Sequence, residues 1–426
     1  MENSLPFSGK PIISQVNLQG SKSISNRVLL MAALAKGDSQ ISNIPLNKDV
    51  LACLETLKSL GVKCVLDKKK RVIQINGCNG VLPRNSATIF CNESGTLTRF
   101  ITPICAAQKD GRFYIYAAPR MMERPMSDQL KVLEDMGMNA IYEKKILALP
   151  LTIRSGGLNS KNISINGNKT SQFLSGLLLS APLIQNGLVI NSLENSSQNY
   201  VKMTTYLMGL FGVFVTHENN SYKVPQCSYV ARNYFIEPDI STASYFWALA
   251  ALTNGKVRIN NVYIDSCQGD IYFLKILRNM GCSVNIDNDG IEVVGNKEIK
   301  GVTVNMRECS DTFMTVAALA VFASSDTFIN GLSHTRFQES NRLKAMNDGL
   351  QRIGVYTEIT EDSILISPSR SSLKSNSVNS FNDHRIAMSL SLIGLRTRHN
   401  ILVKDSECVS KTCPDFFERI YYILEC

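Results

Sequence analysis

A glycine recurs along this chain at a spacing that few folds can accommodate. Five amphipathic segments end in an apolar residue, a glycine and a second apolar residue, at Gly61, Gly137, Gly212, Gly281 and Gly354. The steps between them are 76, 75, 69 and 73 residues. Apolar residues at helical spacing precede each one, as in Val50, Leu54, Leu57 and Leu60, or Leu130, Leu133 and Met136. A glycine at that point is the expected left-handed stop of a helix. Residues of alternating, strand-like character usually follow, as in Lys63-Cys64-Val65-Leu66 and Ser283-Val284-Asn285-Ile286.

A second helix recurs in the same rhythm. Its six openings are SKSISNRVLLMAALAKG, SGTLTRFITPICAA, TSQFLSGLLLSAPL, STASYFWALAAL, SDTFMTVAALAVFA and NDHRIAMSLSLIGL. Each begins with Ser, Thr or Asn, which are good N-caps. Each then runs apolar and rich in small residues, the pattern of a helix buried on nearly every side. The chain therefore reads as six copies of a strand-and-two-helix unit of about 70 residues, the last truncated into the helix-like PDFFERIYYIL. Solenoids repeat at roughly 20–50 residues, so a unit this long suits two globular domains of three units each. A length of 426 residues also implies more than one core.

Composition narrows the class further. A chain 44% hydrophobic and 19% charged is a folded protein, and no stretch reaches the roughly 18 uncharged apolar residues of a membrane helix. The first residues, MENSLPFSGKPIISQ, lack the layout of a secretory signal or an Arg- and Ser-rich transit peptide. A cytoplasmic location is expected. The 12 cysteines show no Cys-x-x-Cys spacing and read as reduced thiols. With 4 histidines and no helical pair of ligands, no metal is expected.

The net charge of +9 needs an explanation. Its only basic run, Lys68-Lys69-Lys70-Arg71, precedes an alternating stretch and reads as a solvated hairpin turn. Nothing interleaves aromatic and basic residues as a nucleic-acid platform does. The cations instead gather at helix openings, where unpaired N–H groups favour anions. Lys22 and Arg27 flank the first opening, Arg99 lies in the second and Arg385 in the last. Arg120 and Arg124, Arg342 and Lys411 stand in three further polar segments. Any one of these is ordinary surface charge; their recurrence points to compact sites for small anions. Asp311 and Asp383 open helices and from position alone read as caps. Glu339, between Arg336 and Arg342, reads as half of an ion pair.

These segments resemble the 5-enolpyruvylshikimate-3-phosphate synthase family along nearly the whole chain. The motifs are LQGSKSISNRVLLMAALA (18–35), SGTLTR (94–99), PRMMERP (119–125), TSQFLSGLLLSAPL (170–183), PDISTASYF (238–246), CSDTFMTVAALA (309–320), RFQESNRLKAM (336–346), FNDHRIAM (381–388) and KTCPDFFE (411–418). The resemblance implies an α/β (α+β) fold of two similar domains, each of three βαβαββ units around buried helices, the inside-out barrel of enolpyruvyl transferases. Residues 1–20 and 240–426 would form one domain and 21–239 the other, with substrates in the cleft between them.

It also implies the chemistry: the enolpyruvyl group of phosphoenolpyruvate moves to the 5-hydroxyl of shikimate 3-phosphate and phosphate leaves, without metal or organic cofactor. Carried over by motif, Lys22, Gly95, Arg124, Gln172, Arg342, Arg385 and Lys411 would bind phosphoenolpyruvate. Lys22, Ser23, Arg27, Thr170, Ser171, Gln172, Ser197, Tyr200, Asp311, His334 and Gln338 would bind shikimate 3-phosphate. Asp311, Glu339 and Lys22 would be catalytic, Asp311 as base to the hydroxyl and Glu339 for the proton at C3. Family members are commonly monomers; from composition and charge pattern, neither a membrane nor a nucleic-acid partner is expected.

The chain departs from the family at several places. Gln338 stands where Lys is usual and His334 where Asn is usual, which removes a cation from the acceptor side. Thr170 for Ser keeps its hydroxyl. Rival readings are a paralogue using another acceptor alcohol, made plausible by Gln338, and a non-catalytic anion-binding protein of the same fold. The related transferase that acts on UDP-N-acetylglucosamine usually carries a reactive Cys in the loop that here is PRMMERP, which has none.

Overall fold

The computed structural model describes residues 2–167, 169–193, 198–368 and 373–425. They fall into two compact units, Gly20–Ile236 and the pair of segments Met1–Gln19 and Glu237–Cys426. Among the described residues each unit holds three small open sheets, and no sheet closes on itself. The inside-out barrel is thus a set of separate sheets with helices on their inner side.

One repeat shows how the sequence builds the rest. The strand Ser86–Phe90 leads into the buried helix Gly95–Ala106 and then the strand Gly111–Tyr116. The two strands pair in parallel, register Ser86 to Arg112, and parallel neighbours need a crossover of this kind. The amphipathic helix Ser127–Asp135 follows, then the hairpin strands Asn139–Tyr142 and Leu151–Ser155. The second hairpin strand inserts antiparallel beside Gly111–Tyr116, so the sheet order departs from the chain order. Sheets led by Asn162–Ile165 and Thr303–Asn305 repeat the arrangement.

The remaining three sheets borrow strands from elsewhere in the chain. Asp38–Ser42 takes its parallel partner from Tyr234–Phe235, at the far end of its unit. Lys256–Asn260 takes its partner from Ile13–Val16, in the N-terminal segment. The last repeat lacks a hairpin, and Glu2–Asn3 lies antiparallel on Ile401–Lys404 in its place.

The recurring glycines are the expected helix stops: Gly61, Gly137, Gly212, Gly281 and Gly354 all have φ between +83° and +101°. The second helices are buried as their composition requires. Every residue from Ile240 to Leu252 is inaccessible or nearly so, as is all of Phe313–Ala320 and His384–Leu392. Threonine hydroxyls in one of these helices bond back one turn, Thr98 to the Ser94 carbonyl at 2.8 Å and Thr102 to that of Thr98 at 2.7 Å. Lys68–Arg71 forms the expected solvated turn, with the Lys69 and Lys70 amides donating to Asp67.

Capping differs from expectation. The N-cap residues are Ser21, Ser94, Ser171, Asp239, Thr312 and Asp383. Only Ser94, Asp239 and Asp383 cap with their side chains. Asp311 is no cap: it sits in the 3-10 turn Arg307–Thr312, and its carboxylate is used elsewhere.

Two glycines separate backbone strain from steric conflict. A Cβ at Gly137, φ +99°, would meet no heavy atom within 4 Å, whereas at Gly295 it would stand 2.0 Å from the Ala250 carbonyl oxygen. Gly137→Ala should cost the left-handed penalty alone, about 1–2 kcal/mol, and lower the melting temperature by a few degrees. Gly295→Ala should lower it further. Thermal scans of the two variants check this, and a larger loss at 137 would contradict it.

Candidate active site

In the unit Gly20–Ile236, the first buried helix, Lys22–Leu34, starts on Lys22. The Lys22 Nζ lies 3.3 Å from the carboxylate of Asp49. Asp49 is buried in the first turn of the helix Lys48–Ser59, where the helix dipole favours an anion. Arg27 follows Lys22 and is 2% exposed. Its Nε donates to Thr204 Oγ1 at 2.8 Å and its Nη1 to the Ser23 carbonyl at 2.8 Å. Longer bonds reach Ser175 Oγ and the Tyr200 carbonyl, and the guanidinium lies 5.0 Å from the centre of the Phe100 ring. Arg27 is thereby locked against three other helices.

Arg99 and Arg124 form a second cationic group in this unit. Arg99 donates to Gln172 Oε1 at 2.6 Å and to the Pro125 carbonyl at 2.9 Å, above the Phe173 ring. The Gln172 Nε2 in turn donates to Thr96 Oγ1, and its backbone amide to Thr170 Oγ1. Gly95 leaves room for Arg124, whose Nη1 would stand 2.6 Å from any Cβ there. Burial, and then the like charge of Arg124, pushes the Arg99 guanidinium well below its ordinary value. Two cations held this close favour an anion beside them. Ser171 is buried at the opening of the helix Gln172–Ser180. Ser197 lies outside the described residues.

In the unit that carries both termini, Asp311 is bridged by two arginines. Arg342 Nη1 reaches Oδ1 and Arg385 Nη2 reaches Oδ2, both at 2.8 Å. Arg342 is held from its other edge by Asp383, Nε to Oδ2 at 2.8 Å. Asp383 also caps the helix His384–Leu392 through the Arg385 amide at 3.0 Å and accepts from Ser340 Oγ at 3.0 Å. The expected cap is thus present and serves an ion pair as well. Burial alone would lower Arg342, but Asp383 and Asp311 together hold it above its ordinary value. Asp383 stays below the usual carboxylate range despite complete burial, chiefly because of Arg342.

Glu339 does not pair with Arg336 or Arg342, as its neighbours in sequence suggested. Its Oε1 lies 3.2 Å from Lys411 Nζ and its Oε2 2.9 Å from His384 Nδ1. Gln338 accepts from Arg342 Nη1 at 2.6 Å. His334 Nε2 lies 2.8 Å from Ser310 Oγ. Burial depresses the His334 ring below 6.5, with Asp311 pulling the other way, so at neutral pH it is an uncharged hydrogen-bonding group.

Each unit therefore gathers its own share of the residues expected from sequence. Asp49, Arg99, Thr204 and His384 pair with these residues although the sequence did not mark them as part of either group. Arg99 reads only as a cation at a helix opening, and Thr204 carries no local signal at all. Glu339, Asp383 and His384 bring donor atoms within 4.8 Å of one another, the spacing a metal ion would need. Arg342 and Lys411 already occupy the two carboxylates, so the group is built as an ion-pair network.

Comparison with known proteins identifies the family. The family profile described as EPSP synthase (3-phosphoshikimate 1-carboxyvinyltransferase) matches residues 7–420. A 3-phosphoshikimate 1-carboxyvinyltransferase of Nostoc punctiforme is 38% identical over 425 residues, covering 99% of both chains. One from a Marinomonas species is 35% identical over 408 residues, covering 95% of both. The solved EPSP synthase of Acinetobacter baumannii superposes with a TM-score of 0.84 at 25% identity, covering 99% of this chain and 98% of its own. With motifs, fold and near-complete coverage in agreement, the chain belongs to the EPSP synthase family of 3-phosphoshikimate 1-carboxyvinyltransferases.

Proposed function

We propose that both groups of residues serve one pair of substrates. The activity is transfer of the enolpyruvyl group of phosphoenolpyruvate to shikimate 3-phosphate, a step in the shikimate pathway to aromatic amino acids. Lys22, Gly95, Arg124, Gln172, Arg342, Arg385 and Lys411 hold phosphoenolpyruvate. Lys22, Ser23, Arg27, Thr170, Ser171, Gln172, Ser197, Tyr200, Asp311, His334 and Gln338 hold shikimate 3-phosphate. The observation that carries this reading is the Asp311 carboxylate bridged by Arg342 and Arg385. Two guanidiniums aimed at one half-buried acid suit a site where further anions must be bound and oriented beside a base.

The steps follow from these groups. A carboxylate has about four lone-pair sites, so Asp311 keeps capacity after accepting from both arginines. It takes the proton of the 5-hydroxyl as that oxygen bonds to C2 of phosphoenolpyruvate. Glu339, with Lys411 and His384 on its two oxygens, delivers a proton to C3 and completes a tetrahedral intermediate. Lys22, held by Asp49, assists at C3. Glu339, left as a carboxylate, takes a proton back from C3 as the bond from C2 to the phosphate oxygen breaks, and phosphate leaves. The arginines and lysines offset the charge that gathers as two anions meet.

The acceptor side is less cationic than in the family pattern. Gln338 brings no charge and is bonded to Arg342. His334 does not replace the missing cation, because it stays neutral. This is the one observation that favours a different acceptor alcohol. We read the protein as a cytoplasmic monomer: the 11 described cysteines are all free, as a reducing compartment requires, and the family is commonly monomeric. Among the described residues no helix is long and apolar enough to cross a membrane.

Purified protein should release phosphate from phosphoenolpyruvate only when shikimate 3-phosphate is present, and should do so in chelator. Dependence on another phosphorylated alcohol instead would reassign the acceptor. Asp311→Asn, which keeps the side chain's shape, should lower turnover by about 10²–10⁴-fold, the usual worth of a general base. Its binding of shikimate 3-phosphate, read by calorimetry, should weaken far less, and an equal loss of both would remove Asp311 as the base. The His334 ring signals should titrate below pH 6.5 by NMR. The unfolded chain takes up that proton first, so the residue's share of stability is present above pH 6.5 and declines below it. A midpoint above 7 would make His334 mainly a cation at neutral pH after all.

A further inference from the structure

One buried carboxylate is left over from this mechanism. Asp270 is 5% exposed and lies in the 3-10 turn Gly269–Tyr272. That turn packs on the one that carries Asp311 and on the helix Ile240–Thr253. The Ser241 hydroxyl donates to Asp270 Oδ2. From that helix and its cap come Ser241 and Asp239; from the turn Arg307–Thr312 come Cys309 and Asp311; from the helix His384–Leu392 comes Arg385. The next helix, Phe273–Asn279, buries only apolar side chains. The charges acting most on Asp270 are therefore Asp311, which opposes its ionisation, and Arg385, which favours it.

Charge counting gives these groups a consequence. Arg342 and Arg385 balance Asp311 and Asp383, so an ionised Asp270, on the turn packed against that of Asp311, adds a negative charge these pairs do not balance. We infer that Asp270 is a positioning residue acting through Arg385: in the empty site its carboxylate is ionised at alkaline pH, and an anion arriving at Arg385 then draws a proton from water onto it. Anion binding is then coupled to uptake of one proton at a residue that touches neither substrate. The coupling rests on the reading that Arg385 holds phosphoenolpyruvate. It agrees with the group's titration: burial first, and then Asp311, raises Asp270 to about 7, with Arg385 opposing.

The test is the KM for phosphoenolpyruvate between pH 6 and 9, in the native enzyme and in Asp270→Asn. The native KM should rise as pH increases through about 7, by up to tenfold per pH unit for one proton. Asp270→Asn, always neutral, should lack that rise and have the lower KM at pH 8.5. Stability gives an independent readout. The folded value lies above the unfolded 3.8, so the ionised group penalises folding increasingly from about pH 4 to pH 7. The Asn variant should therefore gain melting temperature over the native protein at pH 8 and gain little at pH 4. Ser241→Ala keeps the acid but removes the hydrogen bond that lowers it, and should move the rise in KM to higher pH. Parallel KM profiles for the native and Asn enzymes, or an unmoved rise in Ser241→Ala, would overturn the proposal. An Arg385→Lys variant with unchanged KM would instead overturn the assignment of Arg385 to phosphoenolpyruvate.

Discussion

Arg342 is almost fully buried and charged, and its burial sets the terms for everything around it. A guanidinium taken out of water is tolerated only with carboxylates at hydrogen-bonding distance, and here Asp383 and Asp311 supply them along two edges. Removing one partner of such a pair costs about 3–5 kcal/mol, because the other charge is left buried and unmatched. Asp383 must therefore be both cap and counter-ion. Its helix must open where it does, and the turn before Phe313 must deliver Asp311 instead of a capping side chain. The kink at Cys309, with φ −135° and ψ 36°, belongs to that delivery. The network holds the Asp311 carboxylate in place without any ligand, which is what electrostatic preorganisation means.

The buried helices explain why the charged residues cluster as they do. A helix enclosed on every side can present polar groups only at its ends, and each repeat contributes such an end. Arg27 shows how strict that is: one turn inside its helix, it is bound by Thr204, the Ser23 carbonyl and the face of Phe100. Its guanidinium has little rotameric freedom left.

Much of this was legible in the sequence because it is periodic. Glycine stops and small-residue helices follow from local backbone geometry, and the five left-handed glycines fall where the pattern put them. The charged network was only half legible. Position alone made Asp311 a cap and gave Glu339 to the nearest arginines, but charge pairing is decided by distance in space, and Glu339 found Lys411 and His384 instead. Asp270 carries no local signal, since what distinguishes it is burial beside residues about 40 and 115 positions away. The borrowed strands were invisible for the same reason: Tyr234–Phe235 and Glu2–Asn3 are two residues each, below the length at which alternation can be read.

Those borrowed strands also impose an order of events on a chain that is made from one end. Gln15 and Asn260, on paired strands of one sheet, are 245 residues apart. At roughly 5–20 residues per second, the N-terminal strand waits on the order of 10–50 s for its neighbour to be synthesised. Throughout that interval its backbone donors and acceptors are an open edge, the kind that recruits other chains. Ile13–Val16 is short, and its sequence Ile-Ser-Gln-Val places two polar residues in the middle. This waiting strand is thus poorly suited to aggregation, and the unit that carries both termini is finished only after the other has left the ribosome.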